Sequence, residues 1–312
     1  MDNLILAFNV VLPLFMCIAL GYLLRRLGMM EAEPRRAMNK LCFKVFLPIY
    51  LFHSIYTTDL GMAFDLKLIL LAALGILGIF FFLMLFIPRI EKENARRGVM
   101  IQGIFRSNYA LFGLPVALSL CGEDKLGPSS LLIGVIVPIF NVLAVITLES
   151  FRGGKPDVKK ILKGIATNPL IIASLLGIFL NLISLPIPEA VLKGCKNLGS
   201  VATPLSLVVL GSEFMFSNVR GYWKQLLTVV SGRLIFCPLI MVTLGFLLGL
   251  RNETLVPILI LFGAPTAVSS FTMAQSMDGD GDLAASIVVF TSGLAILTIF
   301  LWIFVLKQLS LI

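Results

Sequence analysis

Apolar stretches of about 20 residues, the length an α-helix needs to cross a bilayer, follow one another through almost all of this 312-residue sequence. Polar turns between them are short. Within hydrocarbon every backbone N–H and C=O must be satisfied internally, so a chain of this pattern is expected to be an all-α integral membrane protein. Ten candidate spans can be marked, at about 3–24, 41–57, 67–88, 98–120, 129–149, 165–184, 197–212, 227–249, 255–276 and 283–306. Composition agrees: 58% of residues are hydrophobic and only 13% charged, against roughly 25% charged in soluble domains. No linker is long enough to hold a soluble domain.

The net charge of +8 would suggest a nucleic-acid partner on a soluble protein. Here the basic residues sit in loops between apolar spans and read as orientation signals. Sixteen Lys and Arg fall in the loops after spans 1, 3, 5, 7 and 9, and six on the opposite side. The positive-inside rule therefore places both termini outside a cell membrane. Arg35-Arg36 and Lys159-Lys160 are expected to be internal loop charges. The first apolar run lacks a preceding basic region and is too long for a signal peptide, so it is expected to be a retained helix. Five cysteines, at 17, 42, 121, 195 and 237, show no paired spacing and suggest neither a disulfide framework nor a metal site.

The chain also looks duplicated. Pro48 in span 2 and Pro204 in span 7 are 156 positions apart, as are Ser130 and Ser286, which open spans 5 and 10. Acidic turns precede both of those spans, Glu123-Asp124 and Asp278 to Asp282. A competing register aligns Gly113-Leu-Pro115 with Gly263-Ala-Pro265, 150 apart. With five spans in each half, residues 1–154 and 155–312, the second half must enter from the opposite face, giving an inverted repeat.

Spans 4 and 9 each break on a polar step at mid-depth. The first break is Arg106-Ser107-Asn108 and the second is Ala264-Pro265-Thr266; Asn108 and Thr266 lie 158 positions apart. Pro265 has no N–H to give and clashes with the preceding turn, while Ser107-Asn108 is a poor helix interior pair. A matched pair of interrupted spans points to a transporter's substrate site. Two such helices that cross would turn free N–H groups and partial positive charge toward the midplane, which favours a carboxylate or similar anion. The alternative is a pair of kinked helices with local hydrogen bonding and no ligand.

Other candidates follow from depth. Arg106 is costly at mid-bilayer, so it either attracts the anion or pairs with a helix carbonyl or an acid such as Glu213. Asn141 in span 5 and Ser269-Ser270 past the second break are candidate pocket linings. Arg233 in span 8 is close enough to the cytosolic end to snorkel. His53, the single histidine, is expected to be structural or interfacial. No metalloprotease helix, nucleophile elbow or Walker loop occurs in the sequence. The chain is therefore not expected to be an enzyme, and neither cofactor nor metal is expected. Transport without a nucleotide site would be driven by gradients.

Several residues in order resemble the auxin efflux carrier family, the bacterial and plant group that includes the PIN-type auxin exporters. They are Val11-Leu-Pro13-Leu, Asn39, Phe46-Leu-Pro48 through Phe52-His53, and Ser107-Asn108-Tyr-Ala-Leu-Phe-Gly113-Leu-Pro115. The series continues with Arg152-Gly153-Gly-Lys155, Asn168-Pro169, Arg233 with Pro238, Gly249-Leu-Arg251 and Ala264-Pro265-Thr266. The resemblance implies ten transmembrane helices in two inverted five-helix repeats with crossing helices 4 and 9, an architecture like that of bile-acid and Na⁺/H⁺ antiporter proteins. It further implies a scaffold of spans 1, 2, 6 and 7 and a mobile transport domain of spans 3–5 and 8–10. The implied crossover falls at Ser107-Asn108 and Pro265-Thr266, with Asn108 at the family's crossover asparagine and the substrate carboxylate beside it. Where the plant exporters usually carry proline this chain has Ser107, and its central loop is short, like that of the bacterial branch, whose members tend to move malate-like or malonate-like anions. The expected partners are such an anion, membrane lipid, and H⁺ or Na⁺ as coupling ion, with a homodimer left open and no nucleic acid. A cation-coupled symporter or antiporter of the same fold, and a membrane ligand sensor without transport, are the alternatives.

Overall fold

The computed structural model describes residues 2–58, 65–122, 127–153, 158–214 and 219–312. The acidic turn at Glu123-Asp124 and Lys155 lie outside them. Among the described residues the regular elements are helices, joined at one point by an isolated antiparallel β-bridge. Four helical segments are each long and apolar enough to cross a membrane: Leu66–Ile90, Leu131–Ser150, Arg220–Leu247 and Gly281–Gln308. A fifth span results if the bent pair around Asn168 counts as one. The molecule is thus a multi-pass membrane protein.

In chain order the helices are α1 (Asp2–Arg26), α2 (Ala32–Leu41), α3 (Leu47–Tyr56), α4 (Leu66–Ile90), α5 (Asn94–Phe105), α6 (Leu114–Cys121) and α7 (Gly127–Ser150). Then follow α8 (Val158–Thr167), α9 (Pro169–Leu182), α10 (Glu189–Ser200) and α11 (Ala202–Glu213). The last are α12 (Trp223–Ser231), α13 (Cys237–Leu247), α14 (Val256–Gly263), α15 (Val268–Ser276) and α16 (Gly281–Gln308).

Two predicted spans start earlier than their apolar runs. Span 2, expected at 41–57, begins at Ala32, so Arg35, Arg36 and Lys40 are helical and not loop residues. Span 7, expected at 197–212, is preceded by the helix from Glu189. Both early segments are amphipathic, with a polar face that conceals them from a search for apolar runs. Span 6 begins with α8, which carries Lys159 and Lys160 on a helix where a loop was expected. It bends by 56° at Asn168, whose side chain accepts from the N–H groups of Leu170 and Ile171 and so starts α9.

Prolines shape three of the joints. Five-residue π-turns at Cys42–Phe46, Tyr109–Gly113 and Gly232–Phe236 each end two positions before a proline, Pro48, Pro115 and Pro238. A proline gives no N–H and crowds the carbonyl four residues back. Widening the preceding turn relieves that crowding without ending the helix.

The helices sort into two packed groups. In one, α1 lies against α11 and α3 lies against α9 and α10. A Cβ on Gly21 would stand 1.9 Å from the Val208 carbonyl oxygen, and one on Gly211 would stand 2.0 Å from that of Ile18, so backbones touch at this crossing. In the other group, α4, α7, α12 and α16 surround the two broken helices. The outer faces of α4 and α16 expose large apolar side chains such as Phe81, Leu85 and Leu301, as lipid contact requires. At one end of this second group Glu91 binds Gln225, and Arg96 and Tyr222 both bind Asp280. Burial works against the Glu91 carboxylate, but the N–H of Glu93 and the Gln225 amide outweigh it and hold its pKa below the usual range.

Candidate functional site at the helix crossover

The two sequence breaks meet in space. Ala264 precedes a proline, which excludes the helical region for it, and it takes an extended conformation at φ −65° and ψ 155°. Arg106 ends α5 at φ −87° and ψ 107°. Ser107 and Thr266 then face each other as an antiparallel bridge. The Asn108 N–H donates to the Pro265 carbonyl at 2.8 Å and the Ala267 N–H to the Arg106 carbonyl at 3.1 Å. Each break thus satisfies the backbone groups that the other leaves open.

The incoming halves, α5 and α14, end at one side chain. Arg233 is fully buried, and its guanidinium donates to the carbonyls of Ala264 (2.7 Å), Ile104 (3.0 Å), Phe105 (3.3 Å) and Leu261 (2.6 Å). Helix C-termini carry free carbonyls and partial negative charge. One fixed cation therefore serves both ends. The expectation that Arg233 snorkels to the cytosolic surface is overturned. Its distance along its own helix said nothing of the two helix ends packed beside it.

The outgoing halves begin at Tyr109 and Val268. Helix α15 has no side-chain cap at Ala267, so its first N–H groups are open toward the crossover. Thr266 is fully buried: its hydroxyl donates to the Gly103 carbonyl at 2.6 Å, and its N–H binds the Thr291 hydroxyl at 3.2 Å. It braces the crossing from behind.

A partly open cleft with a cavity volume of about 70 Å³ lies against the crossover. Arg106, Ser107, Asn108, Asn141 and Ser269 form one wall; Leu47, Tyr50, Leu51, Leu170 and Ser206 form the other. The first wall belongs to the helices around the break, the second to the α1–α3 and α9–α11 group. Of the residues singled out from sequence, five line the cleft. Pro265, Thr266 and Ser270 are not on its wall; the Ser270 carbonyl accepts from the Gln102 amide at 3.0 Å. Tyr50, Ser206 and the second wall as a whole gave no local signal, because they reach the site only through tertiary packing.

The polar chemistry of the cleft is unbalanced. The Arg106 guanidinium donates to the Asn141 amide oxygen at 2.7 Å and contacts the Met273 sulfur at 2.6 Å, both neutral. Asn141 in turn donates to the Ser174 hydroxyl of α9 at 3.3 Å. Glu213, an expected counter-ion for Arg106, instead pairs with Arg35 at 3.3 Å and accepts from Gln275 at 3.0 Å. The Ser107 hydroxyl and the Asn108 amide nitrogen are buried, on the wall of the cleft, and without a hydrogen-bond partner. Buried donors left open are uncommon in folded proteins, and groups of this kind mark sites that a ligand completes.

Comparison with known proteins agrees with a membrane carrier. The family model for membrane transport proteins matches residues 6–303. An uncharacterized transporter of Methanothermobacter thermautotrophicus is 27% identical over 298 residues, covering 94% of this chain and 96% of that protein. The uncharacterized transporter YfdV of Escherichia coli K12 is 26% identical, covering 96% and 97%. A putative malonate transporter of Rhizobium meliloti is 22% identical, covering 93% of each. The chain belongs to the membrane transport protein family, the auxin efflux carrier group to which its sequence motifs pointed.

Proposed function

We propose that this protein is a secondary transporter for small organic anions, carrying a carboxylate in the cleft beside the helix crossover. The observation that carries this reading is the set of open donors there: the Asn108 amide nitrogen and the Ser107 hydroxyl, beside an Arg106 whose partners are neutral. The open N–H groups at the start of α15, next to Ser269, add partial positive charge. Asn108, Ser107, Ser269 and Arg106 bind the anion. Asn141 holds Arg106 in place, and Pro265, Thr266 and Ser270 keep the crossing in shape. The similarity to a putative malonate transporter of Rhizobium meliloti favours a small carboxylate over other anions.

Alternating access follows from where the cleft sits. Its two walls come from different helix groups, so a slide of the α4–α7 and α12–α16 group along α1–α3 and α8–α11 would carry the site across the membrane. Such an elevator needs the two halves to be inverted repeats. Contacts within the α1–α3 and α8–α11 group support that relation. Arg25 donates to the Ser212 carbonyl at 3.1 Å, and Asn181 donates to the Tyr56 carbonyl at 2.7 Å. Moving Arg25 forward by 156 positions gives Asn181, and moving Ser212 back by 156 gives Tyr56, so donor maps onto donor and acceptor onto acceptor across the two halves. Gly21 against the Val208 carbonyl and Gly177 against the Phe52 carbonyl obey the same mapping. The loop charges favour termini on the outer side of a plasma or inner membrane.

A thermal-shift screen of the purified protein against mono- and dicarboxylates tests the assignment, since a ligand that binds the folded state raises its Tm. At least one small carboxylate should stabilise the protein, and Asn108→Ala should abolish that shift while keeping its own ligand-free Tm. Equal stabilisation of wild type and variant would place the site elsewhere.

A further inference from the structure

Charge counting at the cleft yields a property of the cargo, and it rests on the anion-transport reading above. Among the described residues that line the cleft, Arg106 is the one with a formal charge. The second buried cation at the crossover, Arg233, is not on the wall, and four carbonyls from α5 and α14 and the break after α14 occupy its guanidinium. The acids with charged or amide partners are remote from the wall: Glu213 with Arg35 and Gln275, Glu149 and Asp278 with Arg152, Asp280 with Arg96, and Glu91 with Gln225. The empty cleft therefore holds one uncompensated positive charge.

The facing wall is poor in donors. Leu47, Leu51 and Leu170 are apolar, and the Ser206 hydroxyl is already engaged by Cys42 and Thr272. Thr203 and the Tyr50 phenol are the remaining hydroxyls there, and both are neutral. A carboxylate seated on Arg106 and Asn108 brings the site to neutrality. A second carboxylate on the same molecule would face leucines and carry net negative charge into a low-dielectric space, which is unfavourable without a partner.

We infer that the cleft takes a monoanion, meaning a monocarboxylate or a dicarboxylate with one of its two carboxyls uncharged. The site thus discriminates by charge number.

Malonate and its monoamide, malonamate, are nearly equal in size, yet at pH about 7.5 they carry two negative charges and one. Calorimetric titration of the detergent-purified protein should give malonamate a Kd about tenfold or more below that of malonate. The same order should hold when each competes against labelled substrate in proteoliposomes. Arg106→Lys keeps the charge and should keep the order, whereas Arg106→Gln should weaken both compounds by about tenfold or more, the dianion at least as much as the monoanion. Equal or tighter binding of malonate to wild type overturns the charge count while leaving the anion reading in place. Binding of neither compound, nor of any other carboxylate, to folded wild-type protein overturns both.

Discussion

Arg233 illustrates how a single residue can hold two broken helices together. Its planar fork reaches carbonyls on both sides of the crossing, a task that suits guanidinium and not a point-like ammonium. A lysine there would leave several of the four buried carbonyls without a donor, each at a cost of about 1–3 kcal/mol. Arg233→Lys is therefore expected to lower the Tm markedly and to reduce flux, as a fluorescence-detected melt and a proteoliposome uptake assay would register. A variant as stable and active as wild type would contradict the bracing role. From sequence the residue carried one useful signal, an ionisable group inside an apolar span. Its role was hidden because the carbonyls it serves belong to residues 28 to 129 positions away. Thr266 was legible as part of a break but not as a brace, since the direction of a hydroxyl depends on the Gly103 carbonyl across the crossing. Asn108 was legible as part of the other break, because Ser107-Asn108 is a poor pair for a helix interior.

Among the elements, the legible ones were those whose ends are set by local chemistry. Pro265 forces Ala264 out of the helix, and the position of the break follows directly. The two starts that were missed, α2 and α10, have polar faces that interrupt the apolar run without interrupting the helix. Close packing of α1 on α11 was not legible at all, because a glycine in an apolar span reads the same whether it faces lipid or another backbone. The crossing makes Gly21 intolerant of any side chain. Gly21→Val would drive a Cβ into the Val208 carbonyl, where the allowance is 1.9 Å. Overpacking of this kind costs about 1–3 kcal/mol where the helices can part, and more where they cannot. A drop in Tm with Gly21→Val, set against little change with Gly78→Val, where nothing lies within 4 Å, would check the contact. Equal tolerance at both sites would contradict it.

At the scale of the whole molecule, the cleft lies on the seam between two helix groups, and polar contacts bridge the seam both at the cleft, through Asn141 with Ser174 and Thr272 with Ser206, and away from it. Asn39 donates to the Ser276 hydroxyl at 3.1 Å and to the Thr272 carbonyl at 3.3 Å, and Glu213 joins Arg35 to Gln275. Apolar contacts join the groups as well, α1 lying against α16 with Phe15 beside Gly293. The account stands or falls on the crossover asparagine, and uptake of a labelled small carboxylate, such as malonate or malonamate, into proteoliposomes tests it most directly. Wild-type protein should accumulate the anion, and Asn108→Ala, reconstituted at equal density with an unchanged Tm, should lose uptake by about tenfold or more, the loss expected when one charge-assisted hydrogen bond is removed from a buried site. Uptake by Asn108→Ala at the wild-type rate and affinity would contradict the account.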